Sequence, residues 1–169
     1  MSLSMSQMTL PALTRGLRTL SALLTKGEAW AKDNGVDPAD LASARLFEDM
    51  APLTGQIQRV SDSAKFAVAR LAGVESPAMP DDEVTFADMQ ARIAKTIAYI
   101  EGIDAAQLDG TEGKTIELKF PNGEFSMTGS AYLSGFVLPN FYFHLTTAYD
   151  ILRHKGVPVG KLDYLGVIA

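Results

Sequence analysis

The sequence predicts an all-α protein, a four-helix bundle with a β-hairpin inserted between the third and fourth long helices. Two observations predict this fold class. Apolar residues recur every three or four positions along four long stretches, which is the period of an amphipathic helix. A short stretch in which apolar and polar residues alternate, the period of a β-strand, precedes the fourth helix. Because each apolar stripe needs a partner, four helices of similar length are expected to share one core.

The first long helix is marked by leucines at intervals of three and four. These leucines are Leu10, Leu13, Leu17, Leu20 and Leu24. Asn34-Gly35 predicts the end of this helix, because both residue types tolerate the left-handed backbone that closes a helix. Asp37-Pro38 then predicts a short helix that runs to about Ala44, with Asp37 as the N-cap and proline in the first helical position.

The second and third long helices carry stripes of their own. The second begins near Pro52 and ends at Gly73, and its apolar residues are Leu53, Ile57, Val60, Ala64, Val68 and Leu71. Two prolines and an Asp-Asp pair predict a loop over residues 75–83. Thr85, with Asp88 three residues later, predicts a helix start that resembles a capping box. The third helix ends at Gly102, and its stripe is Phe86, Met89, Ile93, Ile97 and Ile100.

The period changes to two in the hairpin. Its apolar residues are Ile116, Leu118 and Phe120 on the first strand and Phe125 and Met127 on the second. Asn122-Gly123 is a favoured hairpin pair and predicts the turn. The apolar face of the hairpin is expected to lie on the bundle, because an isolated hairpin is only marginally stable.

The fourth long helix is predicted from about Ser130 to Lys155. Gly156 and Pro158 close it, and Pro139 is expected to kink it by removing a backbone donor. The tail over residues 157–169 is predicted to be irregular.

Composition narrows the classes of function. A net charge of -5 and a pI of about 5.0 argue against nucleic-acid binding, which needs a basic surface. The absence of cysteine excludes disulfides and thiolate chemistry. No stretch approaches the ~20 apolar residues of a membrane span, and the N-terminus lacks the early positive charge of a secretory signal. We therefore expect a cytoplasmic protein with no nucleic-acid or membrane partner.

Several motifs carry a family resemblance. The second helix contains Gln56-x-Gln58-x-x-x-Asp62-x-x-Lys65 and Arg70-Leu71-Ala72-Gly73. The fourth helix and tail contain Leu138-Pro139-Asn140-Phe141-Tyr142-Phe143-His144, Ala148-Tyr149-x-Ile151-Leu152-Arg153 and Gly156-Val157-Pro158-x-Gly160-Lys161-x-Asp163. On these motifs the chain resembles the DUF1993 family of the DinB/YfiT-like superfamily of four-helix bundles. The resemblance covers nearly the whole chain and implies a single DUF1993/DinB-like domain over residues 1–169.

The resemblance also implies a place for a metal. Metal-binding members of the superfamily carry one histidine on the second helix and an H-x-x-x-H pair on the fourth, and some activate a small thiol for transfer. Here the fourth-helix positions fall on Asn140 and His144, and the second-helix position falls between Gln58 and Asp62. Asp62, Asn140 and His144 are thus the candidate metal ligands. A zinc or transition-metal site needs three good protein ligands, so the missing histidines favour no cofactor over a divalent metal.

Each candidate has a second interpretation. His144 is either a metal ligand or general base, or a hydrogen-bonded core histidine that links the fourth helix to the second. Asn140 shares a helix face with it, and could instead satisfy the carbonyl that Pro139 leaves free. Asp62 and Lys65 could form a surface ion pair, or Asp62 could orient His144 through its ring N–H. The candidate pocket comprises His144, Asn140, Asp62, Gln58 and Lys65.

Two functions remain open at this point. The first is a structural or small-ligand-binding protein with a degenerate metal site, and the missing histidines favour it. The alternative is a metal-dependent transferase that uses an altered Asp62, Asn140 and His144 site. The aromatic residues of the fourth helix point in several directions, so either the tail or a second subunit is expected to cover them, and a homodimer is expected for either function. These aromatic residues are Phe141, Tyr142, Phe143 and Tyr149.

Overall fold

The structure, a computed structural model, describes residues 3–120 and 123–166. Within these residues the elements are α1 (Met5–Asp33), α2 (Pro38–Ala42), α3 (Leu53–Ala72), α4 (Phe86–Glu101), β1 (Thr115–Phe120), β2 (Gly123–Thr128), α5 (Gly129–Ala131), α6 (Leu138–His154) and α7 (Lys161–Leu165). A 3₁₀ turn, Ala105–Gln107, follows α4, and a π-helical segment, Tyr132–Val137, joins α5 to α6.

The four long helices α1, α3, α4 and α6 form the predicted bundle. Neighbouring helices pack in the cyclic order α1, α4, α3, α6 and back to α1, and α1 also contacts α3 across the core. The predicted stripes form the core, and four of the five α1 leucines are completely buried. The mostly helical fold with one antiparallel hairpin is confirmed, because helices with one apolar face can exclude water only by packing those faces together.

Local capping interactions fix the helix ends. The helix α1 begins at Met5, ahead of the first leucine of its stripe, because Ser4 and Gln7 form a capping box. Thr85 and Asp88 form the predicted box at the start of α4, where the Asp88 carboxylate accepts the backbone N–H of Thr85 at 2.8 Å. Gly73 closes α3 with a φ of +74°, a conformation that glycine adopts without steric cost.

The hairpin lies on the bundle through its first strand. Ile116 pairs with Met127 and Leu118 pairs with Phe125, and Ile116 and Leu118 are buried in the core. The predicted turn pair is wrong at Gly123, which is the first residue of β2 and pairs with Phe120. Asn122, the other residue of that pair, lies outside the described residues.

Pro139 lies in the first turn of α6, directly after the π-helical segment. At this junction the N–H of Leu138 donates to the carbonyl of Leu133, five residues earlier. The interruption predicted at Pro139 is therefore a π-helical segment. Proline has no N–H, so it cannot continue the α-helical hydrogen bonds.

The predicted irregular tail is wrong over α7. The carboxylate of Asp163 accepts the N–H of Gly160 at 2.8 Å and forms an ion pair with Lys26 of α1, and these contacts hold α7 against α1. A five-residue helix is too short to show a helical period, which is why the sequence pattern does not reveal it. Residues 167–169 lie outside the described part of the chain.

No helix among the described residues has both the length and the hydropathy that crossing a bilayer requires.

Candidate ligand cavity

A cavity of about 350 Å³ opens between α3 and the continuous helical stretch formed by the π segment and α6. Its walls are Arg59, Asp62, Ser63, Phe66 and Arg70 from α3, Phe120 from β1, and Tyr132, Phe136, Val137, Asn140 and His144. This volume is at the lower end of the range of small-molecule sites in proteins. The cavity brings together His144, Asn140 and Asp62 of the predicted pocket, whereas Gln58 and Lys65 are not among its walls.

The two ends of the cavity differ in polarity. The helices α3 and α6 are antiparallel, so Ser63 meets Asn140 at one end and Arg70 meets Tyr132 at the other. At the polar end, the Nδ2 of Asn140 donates to the Oγ of Ser63 at 2.6 Å. At the other end, the Nη1 of Arg70 donates to the hydroxyl of Tyr132 at 2.9 Å. Along α3, Arg59, Ser63, Phe66 and Arg70 are spaced by four, three and four residues, so they share one helix face, and Asp62 lies beside it.

Hydrogen bonds fix the tautomer of His144. The amide Nε2 of Gln56 donates to the carbonyl of Ala51 at 2.9 Å, which orients the amide. Its Oε1 then faces the Nδ1 of His144 at 2.7 Å and can only accept. The Nδ1 of His144 therefore carries the hydrogen, and its Nε2 keeps a lone pair. His144 is half-buried on the cavity wall and not in the core, but its hydrogen bond to Gln56 links the fourth long helix to the second.

Burial, and next the positive charge of Arg59, lowers the pKa of His144 from its ordinary value of 6.5 to about 4. The imidazole is consequently neutral at physiological pH. A base with this pKa holds a proton weakly, so the environment does not favour His144 as a general base.

Asn140 does not satisfy the carbonyl freed by Pro139. Its side-chain amide donates across the bundle to Ser63 instead, which makes it a second link between α6 and α3. The π-helical hydrogen bonding before Pro139 already accommodates the interrupted ladder.

Asp62 does not orient His144. Its Oδ1 lies 2.8 Å from the Nη2 of Arg92 on α4 and 3.0 Å from the Nζ of Lys65. Two cations thus hold this carboxylate, and the ring N–H of His144 goes to Gln56. The predicted surface character of the Asp62–Lys65 pair is wrong, because Lys65 is only 3% exposed.

Gln58 and Lys65 belong to a polar network beside the cavity, in which Lys65 and Arg92 are buried and Gln58 is half-buried. Gln58 donates to Glu83 at 2.9 Å, and Lys65 donates to the carbonyl of Pro77 at 3.3 Å. Arg92 joins the network through Glu83 at 2.9 Å. Burial acts to raise the pKa of Glu83, but the hydrogen bonds from Arg92 and Gln58 outweigh it, so the pKa lies below its ordinary value. The network fastens the loop after α3 to the bundle.

Aromatic side chains form the other end of the cavity, and sequence reasoning missed them. Tyr132 stacks on Phe136 with ring centroids 5.9 Å apart, and Phe136 contacts Phe120 at 5.8 Å. The guanidinium of Arg70 lies over the ring of Phe66 at 5.0 Å. The three-and-four spacing from Arg59 to Arg70, next to the apolar stripe of α3, is the signal that could have indicated this wall.

The donor set does not fit a metal. Among residues 3–120 and 123–166, no three histidine, cysteine, aspartate or glutamate side chains form a group that could hold a metal ion. The one carboxylate on the cavity wall, Asp62, is already held by Arg92 and Lys65. The guanidinium groups of Arg59 and Arg70 also line the cavity and disfavour a cation there.

The bundle with its hairpin has the fold of a DinB family protein. A crystal structure of a DinB family member protein from Shewanella denitrificans superposes with a TM-score of 0.88 and 39% sequence identity, covering 96% of this chain and 92% of that one. The family described as "Domain of unknown function (DUF1993)" matches residues 5–165, and the chain belongs to this family. The resemblance drawn from the motifs is confirmed. No curated protein matches the chain.

Proposed function

We propose that this protein binds a small organic molecule in the cavity between α3 and α6, by direct side-chain contacts and without a metal. One observation carries the proposal. A formed cavity of about 350 Å³ joins polar groups at one end to an aromatic wall at the other. Concave sites that combine apolar walls with a few placed polar groups are typical of small-molecule binding.

Rigid side chains support binding without rearrangement. His144 is fixed by Gln56, Asn140 is fixed by Ser63, and Arg70 is fixed by Tyr132. Because the half-buried His144 and Asn140 already have hydrogen-bond partners, a ligand would cost little of their side-chain entropy on binding.

A metal-dependent transferase is the competing function. The neutral imidazole of His144, with a lone pair on its Nε2, is the observation in its favour. The engagement of Asp62 with two cations and the nearby charge of Arg59 weigh against it. The two functions differ in their dependence on a divalent ion.

The first experiment is an elemental analysis of protein purified without a histidine tag, followed by thermal shift with nickel, zinc and manganese. We expect no bound metal and no stabilisation by any of the three ions. The His144→Ala variant should be less stable and equally indifferent to metal. Near-stoichiometric metal that is lost in His144→Ala but kept in His154→Ala would establish a metal site at His144 and favour the transferase instead. His154 is the matched control because it is exposed.

The second experiment is a thermal-shift and ligand-detected NMR screen with neutral, anionic and cationic small molecules. Binding should be weakened by Phe136→Ala, which removes part of the aromatic wall. A complete absence of binders would contradict the proposed function.

We also propose that the chain forms a homodimer through α6 and is one cytoplasmic domain over residues 1–169. In the single chain Phe143 is 57% exposed, and Tyr142 beside it is also exposed. A second subunit that packs on this face of α6 would remove both aromatic side chains from water. Light scattering after size exclusion should give twice the mass of the chain, and Phe143→Glu should halve it. A wild-type protein of monomer mass would contradict the dimer, and cell fractionation tests the location.

A further inference from the structure

We propose that the cavity selects a small aryl carboxylate, with its carboxylate at the end formed by Arg59 and Asn140 and its ring against Phe66, Tyr132 and Phe136. This inference rests on the proposed function and names the class of ligand.

The charge of the wall favours an anion. Among the described wall residues, Arg59 and Arg70 contribute two guanidinium groups and Asp62 one carboxylate. The Asp62 carboxylate is paired with Lys65 and with Arg92, which also pairs with Glu83 and Asp81. Two positive groups and one negative group give the wall a net positive charge, although the whole chain carries a net charge of -5. Such a field raises the local concentration of anions relative to neutral or cationic molecules.

At the polar end of the cavity, Arg59 and Asn140 have N–H groups that could donate to a ligand. Within the described residues, the Arg59 side chain makes one hydrogen bond, from its Nη1 to the carbonyl of Gly55 at 2.9 Å, and no ion pair. Asn140 uses one amide hydrogen on Ser63, which leaves a second N–H. A guanidinium and an amide N–H are complementary to a carboxylate, and bonds of this charge-assisted kind are the stronger ones.

The aromatic end selects a flat apolar group. Tyr132 and Phe136 stack in nearly parallel planes, with an interplanar angle of 16°. The guanidinium of Arg70 is held between Phe66 and Tyr132 by ring contacts at 5.0 and 5.9 Å and by the Tyr132 hydroxyl. Offset or edge-on contact with such rings is worth more than the burial of the same area of an aliphatic group.

The test measures binding of matched probes to the full chain by ligand-detected NMR and calorimetry. The probes are phenylacetate, its neutral amide phenylacetamide, the cation phenethylammonium, and acetate, which lacks the ring. Phenylacetate is expected to bind at least about tenfold more tightly than each of the others. Arg59→Gln should weaken phenylacetate by about tenfold or more, whereas Arg153→Gln, an exposed arginine at the far end of α6, should leave it unchanged.

Three results would overturn the inference. One is equal binding of phenylacetamide or phenethylammonium, which would mean that charge does not select the ligand. Another is unchanged phenylacetate binding in Arg59→Gln. The third is that no probe binds the wild-type protein. If the wider screen then finds a neutral or cationic ligand whose binding Phe136→Ala weakens, the proposed function stands and only the aryl carboxylate is refuted.

Discussion

Replacing His144 with alanine should destabilise the protein by an amount that depends on pH. His144 is the partner of the Gln56 amide oxygen, and Gln56 is only 2% exposed. A buried acceptor left without a donor costs about 1–3 kcal/mol. At pH 7 the free energy of unfolding of His144→Ala should therefore be lower than that of the wild type by about 2 kcal/mol.

The dependence on pH follows from the lowered pKa of His144, which is about 4 in the folded protein against an ordinary value of 6.5. Between these two values the unfolded chain binds more protons than the folded one, so wild-type stability rises with pH across this window. If the whole pKa shift acted on stability, the wild-type free energy of unfolding would fall by about 2 kcal/mol from pH 7 to pH 5. Solvent screens a half-exposed group, so we expect a fall of about 1 kcal/mol. His144→Ala has no such loss, so its deficit should shrink to about 1 kcal/mol at pH 5.

Urea denaturation followed by circular dichroism at pH 5, 6 and 7 measures these differences. The exposed His154→Ala is the control and should track the wild type at every pH. His144→Gln keeps a donor for Gln56 but does not titrate, so it should match the wild type at pH 7 and exceed it at pH 5. A deficit of His144→Ala that is the same at all three pH values would refute the lowered pKa. A deficit of zero at pH 7 would refute the contribution of the hydrogen bond.

Other substitutions test packing, the polar network and capping, each by urea denaturation. Gly16→Ala should cost about 1–3 kcal/mol because its Cβ would lie 2.6 Å from the Cζ of Phe141. Gly135→Ala, with no atom within 4 Å of its Cβ, should be neutral or stabilising, and equal effects of the two would contradict the close packing of α1 on α6. Arg92→Met should cost about 3–5 kcal/mol because it removes the ion-pair partner of the Glu83 carboxylate and keeps the Gln58 amide as its donor, and a loss under about 1 kcal/mol would show that the network is relaxed. Thr85→Ala should cost about 1 kcal/mol through its lost cap, and an unchanged stability would contradict the capping box.

The sequence by itself determined the fold class and the position of the hairpin. Apolar residues at helical spacing can be buried only as faces of packed helices, and the caps at Thr85 and Gly73 depend on residues close in sequence. It also identified His144 as a polar residue that needs a partner in an apolar helix. These features could be predicted because they are local or periodic.

Only the tertiary structure decided which groups meet. From the sequence, Asp62 and Gln56 on α3 are both possible partners of His144. In the structure Arg92 of α4 binds Asp62, and Gln56 is the partner of His144. The cavity likewise requires the antiparallel register that brings Arg70 to Tyr132, 62 residues later in the chain. Such contacts join residues far apart in sequence, and their pairing depends on helix order and rotation, which no local periodicity specifies.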